Sequence, residues 1–230
     1  MFFYKKHKME ILYEDNHIIA VNKAVSEIVQ GDKTGDIPLT ELVKDYIKQK
    51  YNKPGNVFIG LVHRIDRPTS GVLVLARTSK ALTRLNKMFQ TRDVKKIYWA
   101  IVDKRPPKHE DTINHYLKKN EKQNKSYAYN KEVAGSKLAS LTYKLINSSD
   151  RFHLLEIELH TGRHHQIRAQ LAHIGCKIRG DLKYGFPRSN KDGGISLHAR
   201  KINFIHPIKN EPIEIIAPLP KDNLWSYFNK

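Results

Sequence analysis

The chain has 230 residues, enough to bury a sizeable core in one large domain or two small ones. Its 41 Lys and Arg outnumber the 23 Asp and Glu, giving a net charge of +18 and an isoelectric point near 9.8, and this excess is spread along the chain. Distributed positive charge favours a polyanionic partner, nucleic acid before membrane. The single cysteine, Cys176, excludes an internal disulfide and a cysteine-ligated zinc cluster, and it favours a reducing compartment.

The apolar runs of the chain are short. None approaches the roughly 20 residues that a membrane helix needs, and the N-terminal one is too short for a signal peptide. Residues 1–9 are expected to form a frayed basic lead-in. We therefore expect a soluble, cytoplasmic protein that contacts no membrane.

The first part of the chain predicts short strands and amphipathic helices. Strands are predicted at residues 11–14 and 17–21, around a turn at Asp15 and Asn16, and a loop follows over residues 23–38. Apolar residues at helical spacing then predict a helix that starts at Leu39 and ends by Asn52.

Residues 57–102 predict three strands and one helix. The strands are expected at residues 57–62, 72–76 and 95–102, and the helix begins after a cap at Thr78 or Ser79. In the last strand, alternation places Tyr98 on one face and Trp99 on the other.

The remainder of the chain continues this mixture. Residues 118–125 are mostly charged or amide-bearing and predict a solvated loop that could touch RNA. Strands are predicted at residues 138–146, 152–159, 196–205 and 213–217, with a helix before Gly175. Because strands and helices mix without regular βαβ alternation, and no linker or repeat is visible, we expect one continuous α+β domain.

The stretch LVHRIDRPTSGVLVLAR, residues 61–77, is the first concentration of reactive side chains. Two apolar runs flank a polar centre, which predicts a strand, a tight loop and a second strand. The one carboxylate in it, Asp66, lies between Arg64 and Arg67, so it should be an anion at neutral pH. Such an anion suits a nucleophile or an electrostatic anchor, whereas the plainer interpretation is a structural Asp–Arg pair in a solvated turn.

The stretch HTGRHHQIRAQLAHIG, residues 160–175, is the second concentration. Gly162 is expected to allow the turn from a strand into a helix. Backbone N–H groups at a helix start can bind an anion, and basic and amide side chains crowd this one. His164 and Arg168 are expected one turn apart on a common helix face.

A metal site is the competing interpretation of this stretch, since His160 and His164 have a spacing found in some metal sites. The Gly162 turn separates them and no carboxylate lies between them, so phosphate binding or a structural histidine is favoured. No glycine-rich nucleotide cradle is present, and neither Ser70 nor Cys176 lies in a recognisable nucleophile context. We expect neither a metal nor a cofactor.

Four stretches together resemble the RluA-type pseudouridine synthases. HRIDRPTSGVLVLART resembles the central motif of that family, KIYWAIV its tyrosine strand, LHTGRHHQIRAQLAHIGCKIRGDLKYG its arginine motif, and SLHARKINFIHP its leucine motif. The resemblance covers about residues 11–220, with the motifs in the order and spacing of the family. One departure is that Lys23 is followed by Ala24, Val25 and Ser26, where the family usually has Pro, a small residue and Gly.

The resemblance implies an α+β pseudouridine synthase fold, with a mixed, mainly antiparallel central sheet flanked by helices and loops. It implies that Asp66 is the catalytic carboxylate, attacking either the anomeric carbon of the sugar or the uracil ring. Tyr98 would stack on the flipped base and help the proton step at carbon 5, Arg168 would pair with Asp66, and Arg64 would enter the space that the uridine vacates. The other residues expected to contact RNA or to line the pocket are His63, Thr69, Arg163, His165, Gln166 and Leu197.

The resemblance further implies specific uridines of ribosomal or transfer RNA as substrates. We expect a single catalytic domain over residues 1–230, without the N-terminal RNA-binding domain that many relatives carry, acting as a monomer. Two other classes stay open. A non-catalytic RNA-binding module would explain the charge but not Asp66 with its arginines. A metal-dependent nuclease would need clustered carboxylates or histidines on a common face.

Overall fold

The computed structural model describes residues 9–31 and 34–228. Apart from Met9, the basic lead-in predicted at residues 1–9 therefore lies outside the described residues.

The described residues form one eleven-stranded sheet in the order β1-β2-β4-β10-β5-β9-β8-β6-β7, with β11 beside β10 and β3 beside β4. In this part of the chain β4 and β10 pair in parallel, and the other strand pairs are antiparallel. The prediction of a mixed, mainly antiparallel sheet is confirmed. The strands are β1 (Glu10–Glu14), β2 (Ile18–Lys23), β3 (Gly60–Leu61), β4 (Ser70–Ala76), β5 (Lys95–Val102), β6 (Glu110–Asn120), β7 (Lys125–Tyr129), β8 (Lys137–Ser148), β9 (His153–Leu159), β10 (Leu197–Ile205) and β11 (Pro212–Ile216).

The helices flank this sheet. The Thr78 side chain accepts a hydrogen bond from the backbone N–H of Ala81 at 3.2 Å, so the predicted cap is confirmed. Gly175, at φ 84°, follows the helix that it was predicted to end. No helix in the described ranges is long and apolar enough to cross a membrane. The helices are α1 (Leu39–Lys50), α2 (Ser79–Thr91), α3 (Gln166–His173) and α4 (Asn223–Phe228), with a short 3-10 helix at Leu182–Tyr184.

Strand β5 lies between β10 and β9 and divides the core. Its Tyr98 belongs to the buried cluster that also holds Ile167 and Leu171 of α3. Its Trp99 packs on the opposite side, in a cluster with Trp225 of α4. The predicted division of faces is confirmed, and it directs Tyr98 toward α3.

Two predicted elements differ from the structure. In the run at residues 57–62 only Gly60–Leu61 forms a strand, because Val57 and Ile59 pack in the α1 cluster without a ladder partner. Residues 118–125, predicted as a loop, form the end of β6, the turn at 121–124 and the first residue of β7. That hairpin is partly exposed, so its strands lack an apolar run and their pairing is not visible as a sequence pattern.

The other strands predicted after residue 130 are confirmed to within about two residues. Helix α4 was not predicted. The described strands belong to one sheet, while a single domain over residues 1–230, with no separate N-terminal RNA-binding domain, stays a prediction.

Candidate active site

Asp66 lies in the loop between β3 and β4. The turn is closed by the backbone N–H of Thr69, which donates to the Asp66 carbonyl at 2.9 Å. Gly71, just beyond it, has φ 114°, and a Cβ atom at that position would collide with the backbone of Ala199 in β10. Only glycine therefore allows β4 to approach β10 closely enough for the parallel pairing that anchors the loop.

The Asp66 carboxylate is held by Arg168 of α3, as the resemblance implied. The Arg168 Nη1 donates to Asp66 Oδ2 at 3.0 Å. Its Nε and Nη2 donate to the two carboxylate oxygens of Asp181 at 2.7 and 2.8 Å. Burial alone would lower the pKa of the guanidinium, but the hydrogen bonds and charge of Asp181, and then of Asp66, raise it. Arg168 is thus a permanent cation with one edge committed to Asp181 and one nitrogen left for Asp66.

The two arginines beside Asp66 in sequence do not hold its carboxylate. Arg67 turns away, and its Nη2 donates to Asp36 at 2.6 Å on the exposed surface. Arg64 is exposed and lines the open cleft. The expected pairing of Asp66 with its sequence neighbours is wrong: the cation in contact with its carboxylate is Arg168 of α3, because adjacent loop residues point in different directions.

Tyr98 lies across from this carboxylate and is 9% exposed. Burial, and then the charge of Asp66, raises the pKa of its hydroxyl, so the phenol stays protonated at neutral pH. Together with Asp66, Leu197 and Thr69 it lines an inner pocket of about 100 Å³. Thr69 is 2% exposed, and its hydroxyl has no hydrogen-bond partner among the described residues.

His165 turns the chain into α3, with φ 53°. The positive φ at this turn belongs to His165 and not to Gly162, and α3 starts at Gln166, so the expected common helix face of His164 and Arg168 is wrong. The His165 Nδ1 lies 3.1 Å from the hydroxyl of Tyr184, and its Nε2 lies 3.7 Å from Asp66 Oδ2. Burial, with the charge of Arg168 second, lowers the pKa of His165 to about 2, so the imidazole is neutral.

The remaining predicted residues surround the cleft and are tied to the scaffold. The backbone N–H of Val74 donates to His63 Nε2 at 3.0 Å, and the imidazole stacks on Phe89 at 4.8 Å. The Gln166 amide donates to the Ser140 carbonyl at 3.0 Å. Arg163 Nε donates to the Leu138 carbonyl at 3.1 Å, with Arg163 itself on the rim of the cleft.

Two buried charged residues of the site were not singled out in the sequence. Asp181 is 1% exposed and accepts a hydrogen bond from the guanidinium of Arg168. Lys23 is fully buried, and its ammonium donates to the carbonyls of Ala24 and Arg67 at 2.8 and 3.1 Å, beneath the Asp66 loop. Burial lowers the pKa of Lys23 to about 8, against the opposing charges of Glu27 and Asp66. A signal was present for both, because Asp181 lies inside the arginine motif of the resemblance and Lys23 directly precedes the residues at which the chain departs from the family pattern.

The cleft above Asp66 has a volume of about 960 Å³. Its rim carries several cations, including Arg64, Arg92 and Lys119.

Within the described ranges, no group of three or more His, Cys, Asp or Glu side chains could hold a metal. His160 and His164 bond separate partners, Thr142 at 2.8 Å and Ser126 at 2.9 Å. The site combines the Asp66 carboxylate, bound to a fixed guanidinium, with the neutral phenol of Tyr98 and a positively charged cleft rim. This combination suits covalent attack on an anionic polymer.

Known proteins are similar to this chain in sequence and in fold. The family model described as RNA pseudouridylate synthase matches residues 17–173. The ribosomal large subunit pseudouridine synthase C of Buchnera aphidicola subsp. Schizaphis graminum is 34% identical over 226 residues, which cover 94% of this chain and 69% of that protein. The ribosomal large subunit pseudouridine synthase D of Xylella fastidiosa is 31% identical over 231 residues, which cover 93% of this chain and 67% of that protein.

A solved structure, human RNA pseudouridylate synthase domain containing 4, superposes with a TM-score of 0.77 at 23% identity, covering 94% of this chain and 91% of that one. At 23% identity this superposition shows the fold alone, and the fold is that of the RNA pseudouridylate synthase domain. The family match spans the Asp66 loop, β5 and α3, so the resemblance first read from the motifs is confirmed. The chain belongs to the RNA pseudouridylate synthase family, the isomerases that act on uridine in RNA.

Proposed function

We propose that this pseudouridine synthase isomerises uridine with Asp66 as its nucleophile, in the cleft between the Asp66 loop and α3. The observation that carries the proposal is the contact between Asp66 Oδ2 and Arg168 Nη1 at 3.0 Å, opposite the buried Tyr98. The carboxylate is 29% exposed at the bottom of the cleft, so it is reachable by substrate although its cation is buried.

The reaction conserves atoms and electrons without a redox partner. The bond between the ring nitrogen N1 and the anomeric carbon breaks, a bond from C5 to the same carbon forms, C5 loses a proton and N1 gains one. Asp66 bonds transiently to the anomeric carbon or to the uracil ring, and Arg168 Nη1 holds the carboxylate in place as it attacks and later leaves.

In this proposal Tyr98 stacks on the detached base and assists the proton step at C5. Its raised pKa means that the hydroxyl arrives protonated. The hydroxyl oxygen of Tyr98 can therefore accept a proton only while it gives up its own proton. Tyr98 thus acts as a proton relay and not as a phenolate base. Leu197 and Thr69 close the inner pocket around the base.

A uridine stacked in a stem cannot reach Asp66 unless it is extruded. Extrusion costs a few kcal/mol, which stacking and pocket contacts offset. Arg64 is exposed at the mouth of the cleft two residues before Asp66, so its planar head is placed to enter the vacated space. The other cations of the rim meet phosphates on either side.

Relatives named for the large ribosomal subunit favour ribosomal RNA as the substrate of this chain. We keep transfer RNA as the second candidate, because the basic cleft reads backbone charge and the shape of the RNA rather than one sequence. A monomeric state and a cytoplasmic location stay predictions.

The test maps pseudouridine across all RNAs of cells with the gene, without it, and with Asp66→Asn restored. The amide is nearly isosteric but cannot act as an anionic nucleophile, so we expect the sites that disappear without the gene to stay absent with the variant. Purified wild-type protein should restore them in excess chelator. Turnover by Asp66→Asn above a trace would refute the nucleophile. A chelator-sensitive RNA cleavage would favour a metal-dependent nuclease, and binding without conversion would favour a non-catalytic module.

A further inference from the structure

The turn of the β6–β7 hairpin forms part of the cleft wall. Lys119 at the end of β6 and Asn124 before β7 both line the cleft. The ammonium of Lys183 in the 3-10 helix donates to the carbonyls of Gln123 and Asn124 at 3.3 and 3.1 Å. The turn is thus tied to the segment that also carries Tyr184, and the hairpin is held at a fixed place beside the cleft.

A line of alternating cations and rings leads from the active site to this hairpin. The guanidinium carbon of Arg168 lies 5.1 Å from the ring centre of Tyr184. The ammonium of Lys125 lies 5.0 Å from the same ring and 5.2 Å from the ring of Tyr127. All three distances fall in the range of cation–π attraction. Tyr184 is 7% exposed and Tyr127 is 38% exposed, so the line begins in the core and ends at the surface.

The exposed end of this line combines an oriented aromatic ring with a lysine ammonium group that is not neutralised by a carboxylate among the described residues. The Tyr127 hydroxyl donates to Gln123 Oε1 at 2.5 Å, which orients the ring. Lys118 lies directly opposite Tyr127 in the β6–β7 register, on the same face of the hairpin. Lys119 is paired with Glu121 at 2.6 Å, whereas Lys125 forms no ion pair in the part of the chain that the structure describes.

We propose that Tyr127, with Lys125 and Lys118, docks an unpaired nucleotide of the substrate RNA that flanks the target uridine. The base stacks on the Tyr127 ring and the two ammonium groups meet its phosphates. An exposed ring beside a basic groove is the arrangement by which proteins hold single-stranded nucleic acid without reading its sequence. Tyr127 lies outside the cleft lining, on the hairpin whose turn lines the cleft, so its ring docks a nucleotide that has left the cleft. The inference rests on the proposed function for the direction of the RNA through the cleft.

The experiment measures binding by fluorescence anisotropy with two labelled probes of equal length and charge, an oligouridylate and an abasic ribose-phosphate oligomer. We expect Tyr127→Ala to weaken oligouridylate binding about tenfold and to leave the abasic probe unchanged, since stacking needs a base. Tyr127→Phe keeps the ring and should bind oligouridylate like wild type. Tyr227→Ala, at a tyrosine of α4 that is 50% exposed, is the matched control and should change neither probe.

Lys125→Gln tests the charge independently. It should weaken both probes and reduce the slope of log binding constant against log salt by about 0.7, the value for one phosphate contact on a single strand. An unchanged slope would show that Lys125 contacts no phosphate and is not part of the proposed docking surface.

Equal losses on both probes with Tyr127→Ala, or no loss on either, would overturn the proposal and leave the exposed ring to a protein partner or a second copy of the chain. Uridine conversion by the wild type is scored separately. Conversion that persists while Tyr127→Ala binds normally refutes the docking surface alone. Base-dependent binding with no conversion refutes the proposed function alone.

Discussion

Replacing Asp181 with asparagine tests whether the second carboxylate positions the first through Arg168. Asp181 is 1% exposed and accepts two hydrogen bonds from the guanidinium, at 2.7 and 2.8 Å. Asparagine has the same shape, but its amide offers one oxygen and one NH₂ where Arg168 presents two donors. One bond is lost and two donors face each other.

The expected cost follows from burial and charge. A hydrogen bond to a charged group contributes about 1.5–3 kcal/mol, and removing one partner of a buried ion pair costs about 3–5 kcal/mol. We expect Asp181→Asn to lower the free energy of unfolding by about 3–5 kcal/mol. It should also slow uridine conversion by about tenfold to a hundredfold, because a reacting group displaced by about 1 Å loses that much.

Chemical denaturation measures the first quantity, and tritium release from RNA labelled at uridine carbon 5 measures the second. Asp222→Asn is the matched control. Asp222 pairs with Arg179 at 3.5 Å while 38% exposed, and asparagine can keep its hydrogen bond to the backbone N–H of Leu224. We expect at most about 1 kcal/mol there. A destabilised Asp181→Asn protein with the full rate at saturating RNA would show that Asp181 serves only the fold, and would refute the reasoning.

Three further outcomes are expected. Tyr98→Phe should keep RNA affinity and lose most of the rate, since the ring stays and the relay hydroxyl goes; full activity would leave Tyr98 a packing role. Arg64→Ala should slow conversion much more in a folded stem-loop than in a flexible strand, as turnover of both RNAs over a salt series would reveal, and equal losses would make Arg64 a plain phosphate contact. Burial lowers the pKa of Lys23 from 10.5 to about 8. The unfolded chain then binds more protons there between those values, so the destabilisation caused by burying this charge is largest below about pH 8 and is relieved as pH rises through the window. In the folded protein the charge beneath Asp66 disappears as pH rises through about 8, so conversion should fall there, and Lys23→Met should abolish that fall; an alkaline limb that persists in the variant would contradict this.

The sequence alone determined the elements whose causes are local. Strand Lys95–Val102, the Thr78 cap and the end of α3 before Gly175 follow from residue types and spacing within a few positions. The motifs also selected Asp66 and Arg168 as partners, because matching a family carries information about contacts that no local pattern holds.

Only the tertiary structure decided how the other charges of the site are arranged. Arg168 is fixed by the buried Asp181, and Arg67 pairs with Asp36 on the surface and not with its neighbour Asp66. The burial and contacts of Asp181 and Lys23, and the surface formed by Tyr127, Lys125 and Lys118, became visible only when the fold brought strand, loop and helix together. Such contacts depend on the direction of each side chain in space and on its burial, and a charged residue in a sequence has the same letter whether it is solvated or buried against its partner.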